Sequence, residues 1–414
     1  MHAPPYDEHL VWERGTTQGS AASMAEAGRE RLTLSAGLRG NNNSFGIIRL
    51  VLASSVIFSH AFNLGGWVSD PFGRITRGQE TIGGLAVVGF FVVSGYLITK
   101  SGARNDVVQF MWRRSLRILP AFWLALAVGA LVVGPLAWVM MDRSLGSYFT
   151  LEPGGPASYL KNNVALSIHQ WGIFDIFHTS TPYGSIAGQS VFNGSLWTLI
   201  YEWRAYLIIA ALVLIGAIRR APVMVVVAAA VVYLMALALH FRPGAIGVFW
   251  PGFADRYLIT LTLAFLIGGT MAVLADRIVL DGRIAMAAGA GVILTLALGH
   301  WILIGYACYA YVLLYVAARL PEGFRRIGAK NDYSYGMYVY GFLVQQFTAF
   351  LGWHLWGYLP WVLATLVVTF GLAYISWHVV EKPSLALKDW GPGKGIAHWR
   401  DWLVLRVRRP AKAP

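Results

Sequence analysis

Charge is scarce in this chain: Asp, Glu, Lys and Arg make up 13% of its 414 residues, while 57% are hydrophobic. A soluble protein carries about twice that charge, so a water-surrounded globule is excluded. Cysteine is scarcer still. The single Cys308 precludes an intrachain disulfide, and its apolar neighbours read as the setting of a small buried hydrophobe. The ten histidines never fall as HxxH or HxxxH, so no metal is implied. No internal repeat of the transporter kind is found. No hydrophobic run precedes Phe45; residues 1–44 are polar and rich in Gly, Ala and Ser. They do not read as a cleavable signal peptide, and a mostly disordered cytoplasmic tail is expected.

What the chain has instead is long apolar segments and a mean hydropathy of +0.55. Ten stretches are long and apolar enough to span a bilayer: 45–64, 82–100, 116–140, 196–218, 222–240, 258–275, 284–299, 301–318, 333–351 and 360–380. With the N-terminus inside, 26 of the 33 Lys and Arg fall on cytoplasmic stretches. Outer loops hold Arg74, Arg77, Arg143, Lys161, Arg242 and Arg256, and Arg204 lies within a span. The expected fold is therefore all-α: a polytopic membrane protein of about ten transmembrane helices, both termini cytoplasmic. The net charge of +13 then reports membrane orientation and attraction to lipid, and calls for no nucleic acid.

Two segments outside the spans carry their own expectations. The outer loop 141–195 is long and rich in aromatics, and its stretch Ser158–Phe177 is expected to lie amphipathically on the membrane. The basic tail 388–414, with Trp399 and Trp402, reads as an interfacial helix on anionic lipid. Residues 45–387 between the two tails form the membrane domain.

Several polar groups sit inside the apolar segments. Arg49 and His60 are eleven residues apart, which returns a helix to within roughly 20° of its starting face. They share one stripe about 16.5 Å long. Taken singly, Arg49 reads equally as a snorkelling side chain and His60 as a histidine bonded to backbone. Thr198, Glu202 and Tyr206 step by four along one face of a later span. By depth Glu202 and His60 are close enough to meet, as a general base and its orienting carboxylate. The rival for Glu202 is structural pairing with Arg204 or Arg49. Arg113, Arg114 and Arg117 precede the third span, where they serve either orientation or anion binding.

These pieces occur in an order that resembles the membrane-bound acyltransferase family 3, bacterial O-acyltransferases of glycans and related acceptors. The carriers are Arg-x10-His, FFVVSGYLI, RRSLRILP, SLWTLIYEWRAYL, SYGMYVY and VEKP, between roughly Phe45 and Leu387. The resemblance implies an inner-membrane enzyme with acyl-CoA, most often acetyl-CoA, as cytoplasmic donor. The acceptor is a hydroxyl of a saccharide or glycolipid at the outer side. The family's essential pair falls on Arg49 and His60, its arginines on Arg113, Arg114 and Arg117, its Trp-x4-Glu on Trp197 and Glu202, and its Ser-x3-Tyr on Ser334 and Tyr338. Many members carry a His three residues after that Tyr; here Gly341 stands there, with Gln345 and Gln346 a turn beyond. The extra C-terminal hydrolase-like domain of some members has no counterpart, so the stand-alone type is expected.

The sequence thus leads to His60 as base, or acyl carrier, with Glu202 orienting it or binding acceptor hydroxyls. Arg49, Arg113, Arg114 and Arg117 hold the donor's phosphates, and Tyr206, Ser334 and Tyr338 contact substrate. The competing class is a transporter or flippase of a glycan or lipid-linked intermediate, in which the same groups form a solute or proton path.

Overall fold

The computed structural model describes residues 32–40, 43–67, 69–150, 152–242 and 255–407. Among them there is no strand, and the main helices are ten: α1 (Phe45–Leu64), α2 (Ile82–Gly102), α3 (Val107–Met140), α4 (Gly194–Leu214), α5 (Val223–Phe241), α6 (Arg256–Val273), α7 (Gly282–Leu298), α8 (Trp301–Arg319), α9 (Ser334–Phe350) and α10 (Tyr358–Asp389). Each of the ten expected segments falls on one of them. Eight are long and apolar enough to cross a membrane; α7 and α9, at 17 residues each, are shorter. The chain is an all-α, polytopic membrane protein.

Burial sorts the helices. Fourteen of the 17 residues of α9 are buried, so this helix, with its interspersed Ser, Tyr and Gln, runs through the centre of the bundle. In α5 only Val225, Ala229 and Ala236 are buried, so it lies on the periphery. Helices α2 and α6 approach closely because each offers glycine to the other. A Cβ at Gly95 would collide with the backbone of Phe265, and one at Gly268 with the carbonyl of Val92.

Helix α3 starts nine residues earlier than its apolar run, at a capping box in which Asp106 and Gln109 satisfy each other's backbone N–H. The basic run is therefore part of the helix, and its arginines acquire fixed directions. Further along, residues 129–133 widen to a π-turn ahead of Pro135, which has no N–H to return to Ala130, five residues back. The hydroxyl of Tyr148 donates to that carbonyl at 2.7 Å and anchors the long loop to the bundle.

That loop does not lie flat as expected. Within Ser158–Phe177 only the part belonging to the helix Pro156–Asn163 is helical; beyond it Ile173, Ile176 and Phe177 are fully buried in the core. The side chain of Asn163 takes the backbone N–H of His169 and Gln170 and gives to the carbonyl of Gln170. Gln170 in turn donates to the carbonyls of Gly154 and Gly172. Side-chain amides thus replace the helical ladder.

Of the N-terminal tail, residues 1–31 lie outside the described residues. Residues 32–40 do not trail away: Leu34 and Leu38 are buried, and Thr33 bridges Val279. Near the C-terminus, α11 (Gly395–Val407) docks on the start of α3, where Ile396 N–H donates to Asp106.

Candidate active site

The registers of α1, α2 and α9 order the site into layers. Ser59 of α1 lies against Gly83 of the antiparallel α2, and Leu52 against Gly89. On the other flank Gly341 of α9 faces Ile57, and Gln345 donates to the carbonyl of Ile57 at 2.9 Å. His60 therefore sits level with the start of α2 and with Phe342, whose ring meets the imidazole edge-on at 5.3 Å. Arg49, three turns away, is level with Ser94.

The Arg49 end is a charged network. Asp332, just ahead of α9, receives Nη2 of Arg49 at 3.1 Å on Oδ2, which also takes Arg117. Its other oxygen accepts from the Ser334 hydroxyl at 2.5 Å. Arg117 also lies 4.0 Å from Glu381, itself held by Ser376. Burial works to raise the Asp332 carboxyl, but the two guanidiniums and the Ser334 bonds outweigh it and hold it at about 2. Asp332 is therefore a carboxylate at every working pH.

Beside this network lies a cavity of about 110 Å³ lined by Arg49, Arg114, Arg117, Ser94, Glu202, Tyr206, Ser334, Tyr335 and Tyr338, with Val87, Phe90, Phe91, Leu97, Ile98, Ile118, Thr198 and Leu199 as its apolar wall. Glu202 accepts from Ser94 at 3.1 Å and from Tyr206 at 2.5 Å on one oxygen. Tyr338 and Thr198 share a hydrogen bond of 2.5 Å. Arg114 differs from its two neighbours. Among the described residues no carboxylate pairs with it, whereas Arg49 and Arg117 share Asp332.

The structure thus brings Arg49, Arg114, Arg117, Glu202, Tyr206, Ser334 and Tyr338 to one cavity. It places two of the expected residues elsewhere. Arg113 points away and pairs with the exposed Asp389 at 2.7 Å. His60 lies beyond the cavity, its Nδ1 buried without a hydrogen bond. Among the described residues neither a hydrogen bond nor an ion pair joins His60 to Glu202. Depth along two helices set them level only approximately, and it said nothing of which way Glu202 turns. Its structural rivals fare no better: Arg49 pairs with Asp332, and Arg204 lies over the Tyr201 ring. Asp332 was not anticipated, and neither was any role for Glu381 of the VEKP motif. An acidic residue at the mouth of an apolar segment was the available signal for Asp332.

Comparison with known proteins points one way. The acyltransferase 3 family, described as an acyltransferase domain, matches residues 42–378. An O-acetyl transferase of Shigella phage Sf6 is 30% identical over 354 residues, covering 82% of this chain and 95% of that protein. Nodulation protein 10 of Rhizobium leguminosarum bv. viciae is 28% identical over 369 residues, covering 84% and 95%. No solved structure matches. The ordered motifs, the all-helical bundle and the family match over most of its length agree: the chain belongs to the acyltransferase 3 family and is a membrane O-acyltransferase.

Proposed function

We propose that the enzyme moves an acetyl group from cytoplasmic acetyl-CoA to a hydroxyl of a saccharide or glycolipid at the outer side of a bacterial inner membrane. The observation that carries this reading is the arginine cavity. Arg49 and Arg117 are neutralised by Asp332 and Glu381, whereas Arg114 keeps a free charge that suits a phosphate. Arg114 is then the principal anchor of the CoA phosphates, with Arg49 and Arg117 beside it. Ser94, Tyr206 and Glu202 line the path of the pantetheine arm, and Ser334 and Tyr338 contact the donor. Arg113, turned towards Asp389, serves the fold of the C-terminal segment rather than the donor.

At the other end His60 acts as general base. The acceptor oxygen attacks the thioester carbonyl as His60 Nε2 or Nδ1 takes its proton. A C–O bond forms, the C–S bond breaks, and the imidazolium returns the proton to the departing thiolate, leaving CoA as the free thiol. Glu202 acts within the donor cavity, where Tyr206 and Ser94 orient it. Cells carrying the enzyme should yield a surface glycan heavier by one acetyl group per modified unit than cells lacking it, measured by mass spectrometry. Identical glycan masses, with no transfer from labelled acetyl-CoA in membranes, would sink the reading.

A further inference from the structure

We infer that Gln345, Tyr358 and the pair Ser59–Asp70 are positioning residues: together they clamp the outer end of α1 so that His60 points in one fixed direction. The inference rests on the reading that His60 is the base.

A histidine that takes a proton is ordinarily oriented by a hydrogen bond from its other ring nitrogen to a carboxylate or a backbone carbonyl. Among the described residues no group offers His60 such a bond, and its Nδ1 is buried without a partner. Phe342 packs against the imidazole edge-on at 5.3 Å, which is contact without a hydrogen bond. The direction of the ring is therefore set through the backbone that carries it.

The three residues ahead of His60 are each tied by a side chain from a different element. Gln345 of α9 donates its amide N–H to the carbonyl of Ile57 at 2.9 Å. Tyr358, at the start of α10, donates its hydroxyl to the carbonyl of Phe58 at 2.8 Å. Ser59 donates its hydroxyl to Asp70, in the connection between α1 and α2, at 2.6 Å. The same Asp70 oxygen accepts the N–H of Ile82, the first residue of α2, at 2.8 Å.

Consecutive residues of a helix point roughly 100° apart. Three successive ties thus reach α1 from three sides and oppose both rotation and sliding. Helical carbonyls spend one lone pair on the N–H four residues on, and the second receives these extra bonds. Asp70 is 2% exposed and Gln345 fully buried, so water does not compete for two of the ties. Glycine admits both. A Cβ at Gly341 would lie 2.6 Å from Ile57 and push α9 away, and one at Gly83 would lie 2.9 Å from the Ser59 hydroxyl.

The test cuts the ties with near-isosteric changes, Ser59→Ala, Tyr358→Phe and Gln345→Met, singly and together in the full-length enzyme. Labelled acetyl-CoA is followed into the glycan of membranes from the producing cells, at equal amounts of enzyme. In parallel, diethyl pyrocarbonate modification of His60 is measured by mass spectrometry. His378, bonded to the carbonyl of Tyr374 near the far end of α10, is the reference. Misplacing a reacting group by about 1 Å costs on the order of 100-fold. The triple variant should therefore lose about 10–100-fold in kcat with the KM for acetyl-CoA unchanged, and each single variant less. His60 should react faster with the reagent while His378 does not. Full kcat in the triple variant, in an assay where His60→Ala is inactive, overturns the inference. So does equal acceleration at both histidines, which is general loosening. If the triple variant does not accumulate, Ser59→Ala with Tyr358→Phe is read in the same way. Failure of the base reading looks different: His60→Ala would then transfer at the normal rate.

Discussion

The two ends of α1 are built on opposite principles. Around Arg49 every neighbouring carboxylate is engaged, and Asp332 ties two arginines to the start of α9. Around His60 the ring of Phe342 meets the imidazole edge-on, and Nδ1 has no partner. A buried polar atom is ordinarily satisfied; both ends leave some unpaired, the Nε of Arg49 and Arg114 at the first and Nδ1 of His60 at the second, but only the first sets opposite charges against one another. On the function proposed above, the charged end would hold the donor and the apolar end would be completed by the acceptor.

That contrast breaks most severely at His60. Replacement by Ala should lower kcat by about 10²–10⁴-fold with the donor KM little changed; transfer at the normal rate would remove His60 from the chemistry. Next come two adjacent arginines with different surroundings. Arg114→Ala should raise the KM for acetyl-CoA by about 10–100-fold, the loss of one to two charge-assisted contacts. Arg113→Ala should change it by no more than about 2-fold, since its ion pair with Asp389 is exposed. Equal effects of the two would mean that charge alone, not direction, matters there.

Asp332→Asn tests the network itself. It strands two guanidiniums at a site where Asp332 is nearly buried, and breaking such a pair costs about 3–5 kcal/mol. A lower melting temperature in detergent should therefore accompany a weakened donor KM; normal melting would show that Glu381 and Ser334 suffice. The smallest effect is expected at Glu80, in the connection before α2. Burial lifts its carboxyl to about 7, against the opposing pull of Trp301 and Arg256. The folded state thus holds a proton that the unfolded chain has released, and stability falls as pH rises from the ordinary carboxylate range through about 7. Glu80→Gln should raise the melting temperature at pH 8 by roughly 2–4 °C and flatten its pH dependence; parallel curves for the two proteins would refute this.

Much of this molecule was legible before any coordinates. Each of the ten main helices falls on an expected apolar stretch, and eight are long and apolar enough to cross a membrane, because a bilayer admits only segments that satisfy their own backbone. The start of α3 was missed because a capping box extends a helix through polar residues that hydropathy ignores. The loop at 141–195 was misjudged because its order comes from the side chains of Asn163 and Gln170 bonding to distant carbonyls. Periodicity carries no sign of such bonds.

By itself the sequence determined the class of the protein, its family, and the residues of interest on each helix, because spacing along a helix dictates which groups share a face. Only the tertiary structure decided how those faces meet. It turned Arg114 and Arg117 inward and Arg113 outward, and gave Glu202 to Ser94 and Tyr206 rather than to His60. It also supplied Asp332, which reaches Arg117 across 215 residues of chain. The physical reason is that helical rise sets depth, but rotation about each axis is set by packing against neighbours. For α9 and α2 that packing rests on glycines whose partners lie on other helices.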